Sequence, residues 1–216
     1  HFSRQDYGRA RPYYEHVLSI PPQFEREGVS PAKRAELAAV IQRGDADYLN
    51  REVGYYVNAY RRVGFIHQTE GRYEAAAQSF LSGIRLQAMQ EIFYLDLGNL
   101  YAMQSRFAEA ERWYRLALAA SPRDPMILCN LAAVCSETNR LEEAGHYLKT
   151  AIALDQNFPQ AYYNLALLLA RQNAPASEVV DNLDKAIRSG LSDPERTSAQ
   201  DLLQQLVHGG VDPADE

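Results

Sequence analysis

Residues 94–122, YLDLGNLYAMQSRFAEAERWYRLALAASP, contain the pattern that decides the fold. The first half of this stretch places large side chains at Tyr94, Leu97 and Tyr101 around a small residue, Gly98. Spacings of three and four residues put these positions on one face of a helix. The second half has the same helical spacing, and it ends at a proline, which cannot continue a helix. The stretch therefore predicts two amphipathic helices joined by a short turn.

The same spacing recurs every 34 residues on both sides of this stretch. The reference positions are Tyr94, Leu97, Gly98, Tyr101, Ala110, Tyr114 and Pro122. One period earlier stand Tyr60, Val63, Gly64, His67, Ala76, Phe80 and Ala88. One period later stand Leu128, Leu131, Ala132, Cys135, Ala144, Leu148 and Gln156, and a further period gives Tyr162, Leu165, Ala166 and Leu169. The last copy has one extra residue in the turn at 173–177, after which the spacing resumes.

Small residues at fixed places explain why such a repeat folds. Gly98 in the first helix and Ala110 in the second remove side-chain bulk where the two helices cross, so their backbones approach closely. Large residues fill the space around the crossing. Because one hairpin cannot bury its apolar face alone, successive hairpins must stack against each other.

This pattern resembles the tetratricopeptide repeat (TPR) family, with W-x2-L-G-x2-Y, then A-x3-F, then proline at a period of 34. The resemblance covers residues 57–190 as four repeats, 57–90, 91–124, 125–158 and 159–190. It implies an all-α fold, a right-handed α-solenoid of helix-turn-helix repeats closed by a C-terminal capping helix at 191–208. We expect a TPR protein of the bacterial type.

The flanking segments give weaker signals. Residues 1–22 match the second helix of a repeat, which predicts a truncated TPR unit and hence a fragment of a longer protein. Residues 23–56 are interpreted as a diverged helical insert or repeat, with a specialised binding element as the alternative. Residues 209–216 are expected to form a disordered tail.

Charge and composition exclude several classes of partner. The formal net charge is -6, and residues 73–216 hold 11 basic and 19 acidic residues. This acidic balance argues against nucleic acid, which requires a basic surface. No apolar run reaches the roughly 20 residues of a membrane span, so we expect no direct membrane insertion within these residues. The sequence does not distinguish a cytoplasmic from a periplasmic location.

Catalytic and metal-binding motifs are not recognisable in the sequence. There is no phosphate-binding loop, zinc-protease motif or nucleophile elbow. His67 and Cys135 occupy equivalent repeat positions that normally hold packing side chains. Paired acidic residues such as Glu142 and Glu143 are expected on solvated helix faces. We therefore predict no catalytic, cofactor or metal site, and no enzyme.

The TPR resemblance implies that the first helices line a concave groove. Positions facing it would hold amide side chains, which can hold an extended peptide backbone, and apolar side chains that form pockets. The alternative is that some of them pack against the neighbouring hairpin or another segment. The candidate partner-binding residues are Asn58, Arg61, Phe65, Gln68, Ile92, Leu95, Asn99, Met103, Asn130, Tyr163, Asn164 and Leu167. Cys129 is also expected to face the groove.

One subfamily of TPR domains grips a terminal carboxylate of chaperone tails with two basic residues and a set of asparagines. In the corresponding frame of this sequence only Arg61 suits that role, and Asp96 would repel a carboxylate. We predict that the protein does not bind acidic chaperone tails.

The sequence therefore predicts an interaction scaffold that binds a partner peptide or helix in the concave TPR groove. The alternative is a regulatory or docking region of a larger enzyme or of a membrane machine that exports polysaccharide, pili or proteins. Homo-oligomer formation is also possible.

Overall fold

A computed structural model describes residues 54–85 and 89–208. The predicted segments 1–22 and 209–216, and the predicted insert up to residue 53, lie outside these residues. Within the described ranges the regular structure is entirely helical. The helices are α1 Gly54–Thr69, α2 Tyr73–Ile84, α3 Gln90–Met103, α4 Phe107–Ala120, α5 Pro125–Glu137, α6 Leu141–Leu154, α7 Pro159–Arg171, α8 Ala176–Arg188 and α9 Glu195–His208. None of these helices has the length and apolarity needed to cross a membrane.

The chain divides into two compact units, with the boundary between Arg106 and Phe107. In the described part of the first unit, α1 packs against α2, and α2 packs against α3. In the second unit, each helix from α4 to α9 packs against the next, and α5 also contacts α7. The boundary falls inside the predicted repeat 91–124, so each unit is described separately.

Close helix packing in the first unit depends on two glycines. A Cβ atom added to Gly64 of α1 would overlap the ring of Phe80 on α2. A Cβ atom added to Gly83 of α2 would likewise overlap the ring of Phe93 on α3. Both rings are fully buried, so the absent glycine side chains provide the space that these aromatic residues fill.

Two clusters of buried side chains lie in the core of the second unit. The first joins α5, α6 and α7 through residues such as Ala132, Leu148 and Ala161. The second includes Ala166 of α7, Leu183 of α8 and further residues up to the last helix. Helix α9 contributes the buried Ala199 and the partly buried Leu202, Leu203 and Leu206 to this second cluster.

The turns within the described hairpins share one backbone conformation. The central residue has positive φ in each of the four hairpins that the structure describes, at Gly71 (73°), Ser105 (57°), Asn139 (59°) and Asn173 (54°). The amide of the following residue donates a hydrogen bond to the carbonyl five residues earlier, at distances of 2.8, 2.9, 2.7 and 3.0 Å. This bond caps the carbonyl end of the first helix.

Helix starts and turn lengths follow local sequence features. Asp124 caps α5 by accepting a hydrogen bond from the Met126 amide at 2.8 Å, and Pro125 occupies the first turn. Pro159 likewise occupies the first turn of α7, which has no side-chain cap. Four residues separate α7 from α8, whereas three separate α5 from α6, which is the extra residue predicted for the last repeat.

Candidate functional site

The twelve candidate residues all lie on first helices of hairpins, namely α1, α3, α5 and α7. None of the twelve is fully buried. Met103 and Leu167 are the most exposed large apolar residues among them, at 61% and 41%. Asn58 is also exposed, and the other nine are half-buried. Within the first unit the candidates come together on α1 and α3, and within the second unit on α5 and α7.

The same sequence separation recurs in side-chain bonds between the first helices of adjacent hairpins within each unit. Side chains 35 residues apart contact each other in three places, and the bonds join Arg61 to Asp96, Gln68 to Met103, and Arg171 to Ser136. The separation, or offset, is one repeat plus one residue. Counted from the first residue of each repeat (57, 91, 125 and 159), it joins position 5 to position 6 of the next repeat, or position 12 to position 13. Part of the candidate surface is therefore occupied by bonds between neighbouring hairpins.

The strongest of these bonds is the ion pair between Arg61 and Asp96. Arg61 Nε donates to Asp96 Oδ2 at 2.6 Å, and Arg61 Nη2 donates to Asp96 Oδ1 at 3.1 Å. Asp96 is only 3% exposed. Burial raises the pKa of its carboxyl above the usual range, and the hydrogen bonds from Arg61 oppose that shift. The sequence placed Asp96 in the groove, where it would repel an anion, whereas the structure buries it as the counter-ion of Arg61.

Phe65 continues this packed region on α1. The guanidinium of Arg61 lies 5.3 Å from the centroid of the Phe65 ring. The Phe65 ring also packs edge-to-face on Phe80 at 5.5 Å. Arg61 and Phe65 therefore connect α1 to its neighbours, and only part of each side chain remains available to a partner.

Gln68 and Met103 form the second offset pair. Gln68 Nε2 lies 2.9 Å from Met103 Sδ and donates to it. The Gln68 side-chain oxygen is buried and has no hydrogen-bond partner among the described residues. Met103 is nevertheless mostly exposed, so this pair presents an apolar side chain at the surface.

The second unit contains a pocket of about 210 Å³ between α5 and α7. Its floor is apolar and comes from the packed faces of three helices. Two of the twelve candidate residues, Asn164 and Leu167, line it. The remaining lining residues are Ala132, Ala133, Ser136, Glu137, Ala144, Leu148, Leu168 and Arg171.

Two other groove expectations have different outcomes. Tyr163 packs against the core cluster of the last hairpins, and it is not among the residues that line the pocket. Cys129 was expected to face the groove, and this expectation is wrong, because Cys129 is 2% exposed and lies in the core. Burial raises the pKa of its thiol to about 12.

Sequence reasoning missed the polar wall residue Ser136 and the floor of the pocket. A signal for Ser136 did exist, since it lies two repeat periods after Gln68, and both residues take part in an offset pair. The floor residues Ala144 and Leu148 come from α6, the second helix of the hairpin. They were interpreted as core positions only, and the groove positions of the family do not include them.

A second polar cluster lies where α4, α5 and α6 meet. Oxygen atoms of Glu111 and Glu143 and the sulfur of Cys135 lie within 4.8 Å of one another. Arg140 binds both Glu111 oxygens at 2.9 Å and donates to Glu143 at 3.0 Å. Arg115 lies 2.6 Å from Glu111. Two guanidinium groups thus neutralise the carboxylates, which favours an ion-pair network over a metal site.

The same cluster overturns the expectation for Glu143 and agrees with the one for Cys135. Glu143 was expected on a solvated face, whereas it is half-buried and ion-paired with Arg140. Cys135 is fully buried, as its repeat position predicts. Burial raises the pKa of the Cys135 thiol to about 11, so the thiolate needed for metal binding or nucleophilic attack is scarce at neutral pH.

Two protein-family models match the chain. A model described as tetratricopeptide repeat matches residues 66–125, and one described as TPR repeat matches residues 134–173. Residues 66–125 and 134–173 are tetratricopeptide repeats. The predicted fold class, an all-α solenoid of helical hairpins, is confirmed, and its right-handed sense stays a prediction.

Solved structures of other TPR proteins are similar to this one. A tetratricopeptide repeat protein from Parabacteroides merdae is 17% identical, with a TM-score of 0.56 over 71% of this chain and 61% of that chain. MamA is 16% identical, with a TM-score of 0.53 over 80% of this chain and 98% of that chain. The TPR2B domain of yeast Sti1, in a pHsp70 complex, is 20% identical, with a TM-score of 0.51 over 56% and 99%. No curated protein matches the sequence.

Proposed function

We propose that this TPR protein is a protein–protein interaction scaffold that binds a partner peptide or helix on its first helices. The observation that carries the proposal is the distribution of large apolar side chains in solvent. Among the described residues, four such side chains are exposed, and three of them lie on first helices. They are Met103 on α3, Met126 on α5 and Leu167 on α7, while Leu116 lies on the second helix α4.

The α5–α7 pocket in the second unit is the best-formed part of this surface. Leu167 is exposed at its edge, and its floor includes the buried Leu148 and Leu168. Transfer of one more aliphatic side chain from water onto such a surface is worth roughly 1.5–3 kcal/mol. Asn164 in the wall can both donate to and accept from a peptide backbone. An extended segment with an apolar anchor fits these features.

The fold neighbours support this proposal only at the level of the architecture. The TPR2B domain of yeast Sti1 has the same fold class and was solved in a pHsp70 complex. A scaffold of stacked hairpins can therefore hold a partner without further domains. The alternative, a docking region of a larger enzyme or export machine, would use the same surface and stays a prediction, as does homo-oligomer formation.

The proposal includes no catalytic role. The most concentrated set of reactive side chains in the described residues is the cluster of Glu111, Cys135 and Glu143. Its carboxylates are ion-paired with Arg140, and its thiol is buried. We expect the partner to be bound and released unchanged.

The proposal is tested by a selection followed by matched variants. Peptides are selected from a random display library on the full chain, and the affinity of each selected peptide is measured by fluorescence anisotropy. Leu167→Arg places a charge at the pocket, and Leu116→Arg makes the same chemical change at a similarly exposed position on α4 (41% and 46% exposed).

We expect Leu167→Arg to weaken the selected peptides about tenfold or more, because loss of one buried aliphatic contact is worth roughly 1.5–3 kcal/mol. Leu116→Arg should leave the affinity within about twofold. Circular dichroism of both variants checks that the fold is retained. Equal affinities in the two variants would show that the pocket surface is not the binding site.

A further inference from the structure

Two side chains of opposite charge, Glu137 and Arg171, line the α5–α7 pocket. Glu137 is the last residue of α5, and Arg171 is the last residue of α7. They stand one repeat apart, and both line the pocket. Arg171 donates to the neutral Ser136 hydroxyl at 3.3 Å. Among the described residues neither charge takes part in an ion pair, whereas Glu111 and Arg140 do.

The helix dipole affects Glu137 and Arg171 in opposite ways. The carbonyl end of a helix carries a partial negative charge, which favours cations and disfavours anions. Arg171 is therefore well placed at the end of α7. Glu137 sits at the unfavourable end of α5 and has no counter-ion of its own among the described residues, so a cation supplied by a ligand would relieve that position.

The pocket that both charges line is mainly apolar and small. Its floor includes Ala132, Ala144 and Leu148, and its volume is about 210 Å³. An apolar cavity of about 150 Å³ is sufficient for benzene, so this space suits one side chain of leucine or methionine size. Asn164 lies in the same wall and can hold the backbone beside that side chain.

The described part of the first unit lacks this arrangement. There the guanidinium of Arg61 is held by the buried Asp96 carboxylate through two hydrogen bonds. A partner would have to displace Asp96 to use that charge. Arg171 has only a hydroxyl partner, so it keeps its charge for a ligand.

Resting on the proposed function, we propose that the α5–α7 pocket selects a partner segment in which one aliphatic residue lies between an acidic and a basic residue. The acidic side chain pairs with Arg171, and the basic side chain pairs with Glu137. The aliphatic side chain enters the space between them. In an extended peptide, alternate residues point to the same side, so the three side chains occupy every second position.

Four capped synthetic peptides test this selection. Their central sequences are Glu-Ser-Leu-Ser-Lys, Lys-Ser-Leu-Ser-Glu, Glu-Ser-Leu-Ser-Glu and Lys-Ser-Leu-Ser-Lys. Each is titrated into the full chain at low ionic strength, and the side-chain amide signals of Asn164 are followed by NMR. One of the two mixed peptides should bind about two- to tenfold more tightly than both uniform peptides, as two exposed ion pairs allow. Two mixed sequences are needed because the chain direction of the ligand decides which of them fits.

A charge exchange provides the decisive comparison. In the double variant Glu137→Arg/Arg171→Glu the preference should pass to the other mixed peptide, because the same chain direction now needs the opposite order of charges. The matched control is Asp184→Arg/Arg188→Asp, which exchanges an exposed pair on α8 and should leave the preference unchanged.

Equal binding of all four peptides, absence of binding by all four, or a preference that survives the exchange would overturn the inference. These results are separable from failure of the proposed function. If display-selected peptides still lose affinity in Leu167→Arg while the charge order has no effect, the scaffold proposal stands and the charge selection does not.

Discussion

Arg61 and Asp96 form an ion pair with two hydrogen bonds, of 2.6 and 3.1 Å, between the first helices of two successive hairpins. The carboxylate is buried, while the guanidinium is about one-third exposed (33%). Arg61, which the sequence predicted to face the groove, thus connects two hairpins. Because the ion pair neutralises Arg61, this residue is less available to an anionic ligand.

The ion pair should contribute measurably to stability. Arg61→Ala leaves the buried Asp96 carboxylate without its partner, and we expect the free energy of unfolding in urea to fall by about 1–3 kcal/mol. Arg85→Ala is the control, because Arg85 is exposed at the end of α2 and should change stability by roughly 0.5 kcal/mol or less. Equal effects of the two variants would contradict a structural role for the pair.

The same pair bears on the prediction about acidic chaperone tails. Because Arg61 is already neutralised by Asp96, an acidic peptide with a free C-terminal carboxylate should bind no more tightly than its C-terminally amidated form. Isothermal titration calorimetry with both forms measures the difference. A clear preference for the free carboxylate that disappears in Arg61→Ala would contradict the prediction.

Two glycines in helix interiors should respond oppositely to alanine. A Cβ atom at Gly64 would overlap the Phe80 ring, whereas one at Gly145 of α6 would lie 3.6 Å from Leu168 Cδ2, an ordinary contact. Gly64→Ala should therefore destabilise the protein by about 1–3 kcal/mol through overpacking. Gly145→Ala should be neutral or stabilising by up to about 1 kcal/mol, because alanine is the better helix former.

Thermal and urea unfolding of both glycine variants checks this pair of expectations. If Gly64→Ala were as stable as the unchanged protein, the close approach of α1 and α2 at this point would be wrong. A loss of stability in Gly145→Ala would mean that the space beside α6 is smaller than the structure shows.

Both thiols should be inert in the folded protein. Burial raises the pKa of Cys129 to about 12 and that of Cys135 to about 11, so at pH 8 the reactive thiolate is a very small fraction of each. Reaction with a thiol-specific chromogenic reagent at pH 8 should be slow in the folded protein and fast in urea. The rate should rise as the pH approaches these pKa values. Fast reaction of either thiol under native conditions would contradict its burial.

The 34-residue period was sufficient to predict the helical hairpins and the fold class. Gly64 and Ala132 mark helix crossings in the sequence because a small residue among large ones is visible there. The left-handed turn residue was harder to predict. Gly71 and Asn173 suit positive φ, but Ser105 holds the same position without a distinctive sequence signal.

The contacts between hairpins could not be predicted from the repeat alone. Position 5 of one repeat meets position 6 of the next only because of how the hairpins stack, and no spacing within a single repeat encodes that register. Arg61 therefore looked available in the sequence, and Asp96 looked solvent-facing. The solvated position predicted for Glu143 was wrong for the same reason. Its partner Arg140 also binds Glu111, which belongs to a different hairpin.

The central claim is that a partner binds on the first helices, at the α5–α7 pocket of the second unit. The most direct measurement attaches a nitroxide spin label to a display-selected peptide and records paramagnetic broadening in the NMR spectrum of the full chain. The account predicts that broadening is strongest around Asn164 and Leu167 and weak around Leu116 on α4. Broadening centred on Leu116, with the signals of Asn164 and Leu167 unchanged, would contradict it.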